Sequence, residues 1–240
     1  MTPSFAGKVV LITGVGRAGQ IGHAVARAVG AAGAKLVIVD RDPALLGERA
    51  AELGAQGVAA RTSAGDLTGP DAPRAAVALA VKEFGGLDAV INVAGGFAGA
   101  GPALAITPQQ LDLTFAINVK TTFFTCQAAL PALVARGGGA IVNFASIAVV
   151  QPAAEMAGYA AAKFAVAGLT RALAREFRDR HVRINAVAPH TVRTGDNVAQ
   201  MGSATRYLEL DDLVAVVAFL ASDAARGITG EVVPVTGGAA

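Results

Sequence analysis

The sequence predicts an α/β fold: a doubly wound, seven-stranded parallel sheet with helices on both faces. Three observations carry that prediction. Short aliphatic runs alternate with longer helical segments along the whole chain. Each run is short, rich in Val and Ile, and continuous rather than alternating, which is the pattern of a parallel strand covered on both faces. Charged residues make up only 16% of the 240, against about 25% in an average soluble domain. Such a chain must hide much apolar surface.

The elements follow in order. Val9–Ile12 meets a glycine-rich turn and then a helical segment, Ile21–Ala32. Leu36–Val39 ends at Asp40, with a helix over Pro43–Leu53 beyond it. The third strand is predicted at Val58–Ala60 and the third helix at Ala72–Phe84. Ala89–Ile91 is the fourth strand, and one long helix is predicted over Leu111–Ala135. Ala140–Phe144, Tyr159–Arg178, Val182–Val187, Asp211–Ala221 and Val232–Val235 complete the alternation. Strand, helix, strand with short connections reads as successive βαβ units. No repeat or linker interrupts it, so residues 1–240 read as one domain.

Composition excludes several function classes. Cys126 is the single cysteine, which rules out an internal disulfide framework and a multi-cysteine zinc site. His23, His181 and His190 lack metal-site spacing, and no metal is expected. Twenty basic residues against eighteen acidic ones, with no Lys/Arg block, argue against nucleic acid. The charge-free stretch 137–154 is broken by Asn143, Ser146, Gln151 and Pro152. It falls short of the roughly 18 apolar residues a membrane span needs. The first residues show no basic-then-apolar leader, so the expected location is the cytoplasm.

In such sheets ligands sit outside the carboxyl ends of the strands, where the winding reverses. The first strand ends in Thr13-Gly14-Val15-Gly16-Arg17-Ala18-Gly19-Gln20-Ile21-Gly22. Gly14, Gly16 and Gly19 match G-x-G-x-x-G, a loop whose backbone N–H groups approach a diphosphate at a helix N-terminus. Asp40 closes the second strand, where a carboxylate bonds the adenosine ribose hydroxyls and repels a 2′-phosphate. That favours NAD(H). Arg17 and Arg41 keep NADP(H) open, since either guanidinium suits a 2′-phosphate.

With these motifs the chain resembles the short-chain dehydrogenase/reductases, in their single-domain Tyr-x-x-x-Lys branch, from Gly7 to Gly238. Asp66-Leu67 matches the pair that contacts adenine. Asn92-Val93-Ala94-Gly95 matches the family's Asn-Asn-Ala-Gly element, with Val93 in the second Asn position. Asn118 falls at the helix-kinking asparagine, Ser146 ends the fifth strand, and Tyr159-Ala160-Ala161-Ala162-Lys163 matches the signature. Asn185–Pro189 and then Val192-Arg193-Thr194 match the segment that holds the nicotinamide carboxamide. The resemblance implies a Rossmann-type fold and a cofactor site. That site comprises Gly14, Gly16, Arg17, Gln20, Ile21, Asp40, Arg41, Asp66, Leu67, Asn92, Ala94, Gly95, Tyr159, Lys163, Pro189, Val192 and Thr194. It also implies that Lys163 binds the nicotinamide ribose and that Asn118 holds a proton-relaying water.

Physical chemistry supports the same constellation. Tyr159 and Lys163 are four apart, on one face of a helix. A free tyrosine, with a pKa of about 10, is a poor base near neutrality. A neighbouring ammonium is expected to lower that value, which suits proton transfer to an alcohol or carbonyl. Ser146 is expected to donate to the substrate oxygen and stabilise developing alkoxide charge. Tyr207, the other tyrosine, reads as a packing residue.

Three departures stand out. The glycine loop is two residues longer than the family norm, with Gln20 where a glycine is usual. That length is similar to the divergent enoyl-thioester reductases, whose tyrosine and lysine are separated by six residues. Here Met156 stands seven before Lys163, so their chemistry is disfavoured. His190 follows Pro189 where glycine is common, beside the expected substrate. Only residues 195–210 separate Thr194 from the next helix, a short lid expected to leave the site open.

The expectation is an NAD(P)(H)-dependent oxidoreductase interconverting a secondary alcohol and a ketone, with Tyr159 as acid/base. Ser146, Lys163 and Asn118 support it, and Gly96, Phe97, Gln151, Glu155 and His190 line the substrate pocket. The alternatives are an NADPH-dependent 3-oxoacyl-thioester reductase and a non-catalytic NAD(P) sensor. The expected partners are a small alcohol or ketone and further copies of the chain. Leu111–Ala135 and Tyr159–Arg178 are apolar and rich in small residues (Ala160, Ala161, Ala165, Ala167, Gly168). Family members pair these helices, and residues 232–238 often make a second contact. A homotetramer is expected, or a dimer.

Overall fold

A computed structural model describes residues 3–98, 101–203 and 205–237. Ala204 of the lid and Gly238 of the C-terminal segment lie outside that set. The strands are β1 (Val9–Thr13), β2 (Lys35–Asp40), β3 (Ala60–Ala64), β4 (Ala89–Asn92), β5 (Gly139–Phe144), β6 (Val182–Pro189) and β7 (Val232–Val235). They form one seven-stranded sheet in the order β3-β2-β1-β4-β5-β6-β7. Every pairing is parallel.

The helices are α1 (Ile21–Ala31), α2 (Pro43–Ala55), α3 (Asp71–Phe84), α4 (Pro108–Phe115), α5 (Thr121–Ala135), α6 (Ala157–Glu176), α7 (Gly195–Met201) and α8 (Leu210–Ala221). Successive side chains of a strand point to opposite faces, and β1 shows the result. Val10 and Ile12 join Val25 and Val29 of α1 and Leu213 and Val217 of α8. Val9 and Leu11 join Val77 of α3, Leu133 of α5 and Ala174 of α6. All four strand residues are at most 1% exposed. Continuous aliphatic runs are therefore what a sheet buried on both sides requires.

The winding reverses between β1 and β4, which pair from Val10↔Ala89 to Thr13↔Asn92. The glycine loop after β1 and the Val93–Gly95 turn after β4 meet there. A Cβ on Gly14 would stand 3.0 Å from the Ala94 nitrogen.

Two predicted elements need correction. The third strand is Ala60–Ala64, not Val58–Ala60. Val58 is buried because it packs under Gly30 of α1, where an added Cβ would meet it at 2.7 Å. β3 is an edge strand, so Arg61, Thr62 and Ser63 need not be apolar. The helix expected over Leu111–Ala135 starts earlier, at Pro108, and is interrupted around Asn118, where the resemblance implied a kink. Thr107 and Gln110 form a reciprocal capping box at its start, and a π-helical segment, Ala116–Lys120, divides α4 from α5. The lid between Thr194 and α8 contains α7, capped by Thr194. The buried Tyr207 anchors it, with its hydroxyl 2.7 Å from the Gly202 carbonyl.

One polar cluster lies inside this aliphatic interior. The Asn92 amide donates to Asn143 Oδ1 at 2.9 Å and reaches Cys126 Sγ at 3.4 Å. The Asn143 amide donates to Thr170 Oγ1 at 3.0 Å. Burial pushes the Cys126 thiol up to about 12, so it is no nucleophile.

Candidate active site

Two groups of residues converge at the carboxyl ends of the strands. The first lines a cleft of about 380 Å³ at the β1/β4 crevice. Gly14, Arg17, Gln20, Ile21, Asp40, Arg41, Asp66, Leu67, Ala94 and Gly95 all line it, and so does Gly96, which was expected in the substrate pocket, whereas Gly16 does not. Gly22, Gly65, Thr68, Val93, Ile117 and Thr121 line it too and were not singled out as contacts. Gly65 and Thr68 flank Asp66, and that adjacency was the available signal. Ile117 comes from the π-helical segment and Thr121 from the first residue of α5.

The cleft fits a dinucleotide by its backbone. A Cβ on Gly22 would sit 2.1 Å from the Gly14 carbonyl oxygen, so helix and loop touch main chain to main chain. Asp40 Oδ2 accepts the Gly16 N–H at 2.8 Å, and Oδ1 accepts the Arg41 N–H at 2.7 Å. A carboxylate offers about four lone-pair sites, so Asp40 is held by the loop and retains acceptor capacity. A hydrogen bond from the Thr68 N–H holds the Asp66 carboxyl below its ordinary range, and Arg41 adds a smaller pull in the same direction. Arg17 forms an ion pair with Asp196 at the start of α7.

The second group surrounds Tyr159. Ser146 ends the chain segment after β5, and its hydroxyl also accepts the Ala148 N–H at 3.3 Å. Burial pushes the Tyr159 phenol above its usual 10, and a hydrogen bond with Ser146 opposes that shift. The lowering expected from Lys163 is therefore not the dominant effect. Lys163, only 6% exposed, donates to the Phe144 carbonyl at 2.9 Å, and its ammonium lies 5.7 Å from the Tyr159 ring centre. Burial holds that ammonium down to about 8.

Asn118 completes the group from the π-helical segment. Its amide donates to the carbonyls of Gly96 and Thr114, both at 2.9 Å, and its oxygen accepts the Gly96 N–H at 3.3 Å. The π geometry loosens the helical ladder, and the Thr121 and Thr122 hydroxyls cover the Ile117 and Asn118 carbonyls at 2.8 Å each. A Cβ on Gly95 would lie 2.9 Å from Asn118 Oδ1 and 3.6 Å from Lys163 Nζ. Gly95 thus lets the asparagine and the lysine close over the Val93–Gly95 turn, where the two groups of residues meet.

The remaining residues divide. The Phe97 ring stands edge-on to Tyr159, with centroids 5.0 Å apart. Val192 and Thr194 are buried beneath the lid. The His190 N–H donates to the Val235 carbonyl at 2.9 Å, while its ring Nδ1 is buried with no partner among the described residues. Asn92 does not line the cleft, because its amide is spent on Asn143 and Cys126. Gln151 and Glu155 are exposed on the loop before α6, and Glu155 adopts φ +63°. Neither side chain makes a hydrogen bond among the described residues.

Residues 8–203 match the family model described as short chain dehydrogenase. The chain belongs to the short-chain dehydrogenase family. This dehydrogenase is 37% identical over 243 residues to a D-threitol dehydrogenase of Mycolicibacterium smegmatis, covering 97% of this chain and 92% of the relative. A short-chain type dehydrogenase/reductase from Mycobacterium ulcerans superposes with TM-score 0.93 at 33% identity, covering 98% and 90% of the two chains. A 7α-hydroxysteroid dehydrogenase, solved in complex with NADH and 7-oxo glycochenodeoxycholic acid, gives TM-score 0.89 at 26% identity over 98% and 95%. As a family member this dehydrogenase is an NAD(P)-dependent oxidoreductase. No helix among the described residues is long and apolar enough to cross a membrane, and none of them form a cluster of three or more metal-ligating side chains.

Proposed function

We propose that this enzyme interconverts a secondary alcohol and a ketone with NAD(H), using Tyr159 as the proton donor or acceptor. The observation that carries the reading is the convergence of Ser146 and Lys163 on the Tyr159 side chain, beside the glycine-lined cleft. The dinucleotide, when bound, supplies or takes the hydride. Gly14, Ile21 and Gly22 would hold its diphosphate, and Asp40 its adenosine ribose. Lys163 would hold the nicotinamide ribose, with Pro189, Val192 and Thr194 around the carboxamide.

Ser146 donates to the substrate oxygen and fixes it within reach of the Tyr159 hydroxyl. In reduction the phenol gives its proton to the forming alkoxide, and in oxidation the phenolate takes the alcohol proton. Lys163 supplies positive charge beside that phenolate and so lowers the free energy of the charged state. Asn118 holds the Gly96 backbone, and with it Phe97 against the Tyr159 ring.

Asp40 supports NAD(H) over NADP(H), because its carboxylate faces the place a 2′-phosphate would occupy. The ion pair between Arg17 and Asp196 supports the same preference, since it engages one of the two candidate guanidiniums. A homotetramer is supported by a largely apolar groove between α5 and α6, lined by Phe123, Leu130, Val134, Leu173 and Phe177, with Gln127, Glu176 and Arg180 as its polar members. Ala161, Phe164 and Gly168 are exposed on α6, whereas Ala160 and Ala167 face the enzyme's own core.

The deciding experiment is Tyr159→Phe. The variant should bind NADH as the wild type does and lose turnover by about 10²-fold or more. Retained turnover would overturn the assignment.

A further inference from the structure

We propose that His23 is a positioning residue for the dinucleotide. It sorts the backbone N–H groups of the long glycine loop, withdrawing one from the cleft so that those at the start of α1 face it. The proposal rests on the reading that the cleft takes a dinucleotide.

His23 is the third residue of α1 and only 6% exposed. Its Nδ1 accepts the Gly19 N–H at 3.1 Å. Its Nε2 lies 3.0 Å from Glu52 Oε1 on α2. A backbone amide only donates, so these partners assign the lone pair to Nδ1 and the proton to Nε2, which donates to the carboxylate. Glu52 is anchored in turn, 3.4 Å from Arg49 Nε on α2 and 3.9 Å from Arg27 Nε on α1. No other ionisable side chain bonds the imidazole among the described residues.

The first N–H groups of any helix lack intrahelical partners, and an anion at the helix start uses them. Gln20 occupies the cap position of α1 and makes no side-chain capping bond. His23 supplies the missing anchor one residue earlier, at Gly19, whose φ of +69° only glycine adopts without strain. The Gly19 N–H is thereby satisfied inside the protein. Gln20 and Ile21, which line the cleft, follow directly from that fixed point. The Glu52 contact ties the same point to the C-terminal part of α2.

Two substitutions separate the two bonds. His23→Asn puts an amide oxygen near the Nδ1 position and keeps the Gly19 contact. His23→Gln reaches toward Glu52 and gives up Gly19. The full-length protein is titrated with NADH, following nucleotide fluorescence, and KM for NADH and kcat are measured with a ketone the wild type turns over. His23→Gln should weaken NADH about tenfold in both Kd and KM, with kcat within about twofold, while His23→Asn stays near wild type. Equal effects of the two variants, or no effect of either, would overturn the proposal. Failure of the wild type to bind NADH or NADPH would overturn the cofactor reading and this proposal with it. His23→Ala should match His23→Gln. If the alanine variant does not fold, the Asn–Gln pair still decides.

Discussion

Arg17 and Asp196, 179 residues apart in the chain, form an ion pair that joins the glycine loop to the first turn of α7. Both side chains are substantially exposed, at 68% and 43%. Pairs of that kind add under about 1 kcal/mol to stability, so its effect should appear in cofactor exchange rather than in Tm. Asp196→Asn should speed NADH release about two- to fivefold at low salt, and the gap should close as salt screens the wild-type pair. Stopped-flow displacement at two ionic strengths measures both. Equal release rates at low salt would show that the pair does not restrain the lid.

Lys163 gives a pH signature. Burial holds its folded-state value at about 8, against 10.5 for the free group. Between these values the unfolded chain binds the proton more tightly than the native one. By linkage, stability then rises with pH across that window, and below about 8 the burial penalty is fully present. Relative to Lys163→Met, the wild type should gain up to a few kcal/mol between about pH 8 and pH 10. Denaturant unfolding of the two proteins across that window provides the comparison, and parallel curves would contradict it.

Asp40→Ala tests cofactor choice. Removing the carboxylate removes the repulsion toward a 2′-phosphate and the acceptor for the Gly16 N–H. The kcat/KM ratio of NADH to NADPH should fall at least about tenfold, roughly 1.4 kcal/mol of discrimination. An unchanged ratio would move the determinant elsewhere.

Gly22→Ala should be among the most damaging single changes. The new methyl would stand 2.1 Å from the Gly14 carbonyl oxygen. That atom is backbone, so relief requires separating α1 from the glycine loop. The variant should lose NADH binding beyond detection and lower Tm by several degrees. Gly54→Ala, whose Cβ meets nothing within 4 Å, is the control.

Phe164→Glu tests assembly. Phe164 is 50% exposed on α6, and Phe123 of α5 is 40% exposed. A carboxylate on a covered apolar face is costly. Sedimentation should show the wild type as a tetramer and the variant as a smaller species, with Tyr159 and Lys163 undisturbed within the fold. A monomeric wild type would remove the oligomer.

The legibility of the sequence follows from which forces act locally. Val9–Ile12 and Leu36–Val39 were readable because a strand covered on both faces must be apolar throughout. β3 was misplaced because its edge position frees Arg61 to Ser63 from that demand. Ser146, Tyr159 and Lys163 were legible from spacing and resemblance. A kink at Asn118 was legible from the resemblance; its π-helical form over Ala116–Lys120 was not, because Thr121 and Thr122 look like ordinary helical residues until their hydroxyls are seen on the Ile117 and Asn118 carbonyls. Nor does any local pattern connect Arg17 to Asp196, or His23 to Glu52.

The buried cluster of Asn92, Cys126, Asn143 and Thr170 has a consequence for how the chain selects one arrangement. Strands built from Val, Ile and Ala are nearly interchangeable, and sliding one past its neighbour exchanges like for like. A misaligned β4 or β5 would strand an amide in hydrocarbon, at about 1–3 kcal/mol for each group left alone. Four polar side chains, contributed by β4, α5, β5 and α6, therefore act as an alignment key. They penalise the near misses that an all-aliphatic interior would tolerate, and the candidate site residues at the strand ends arrive in step.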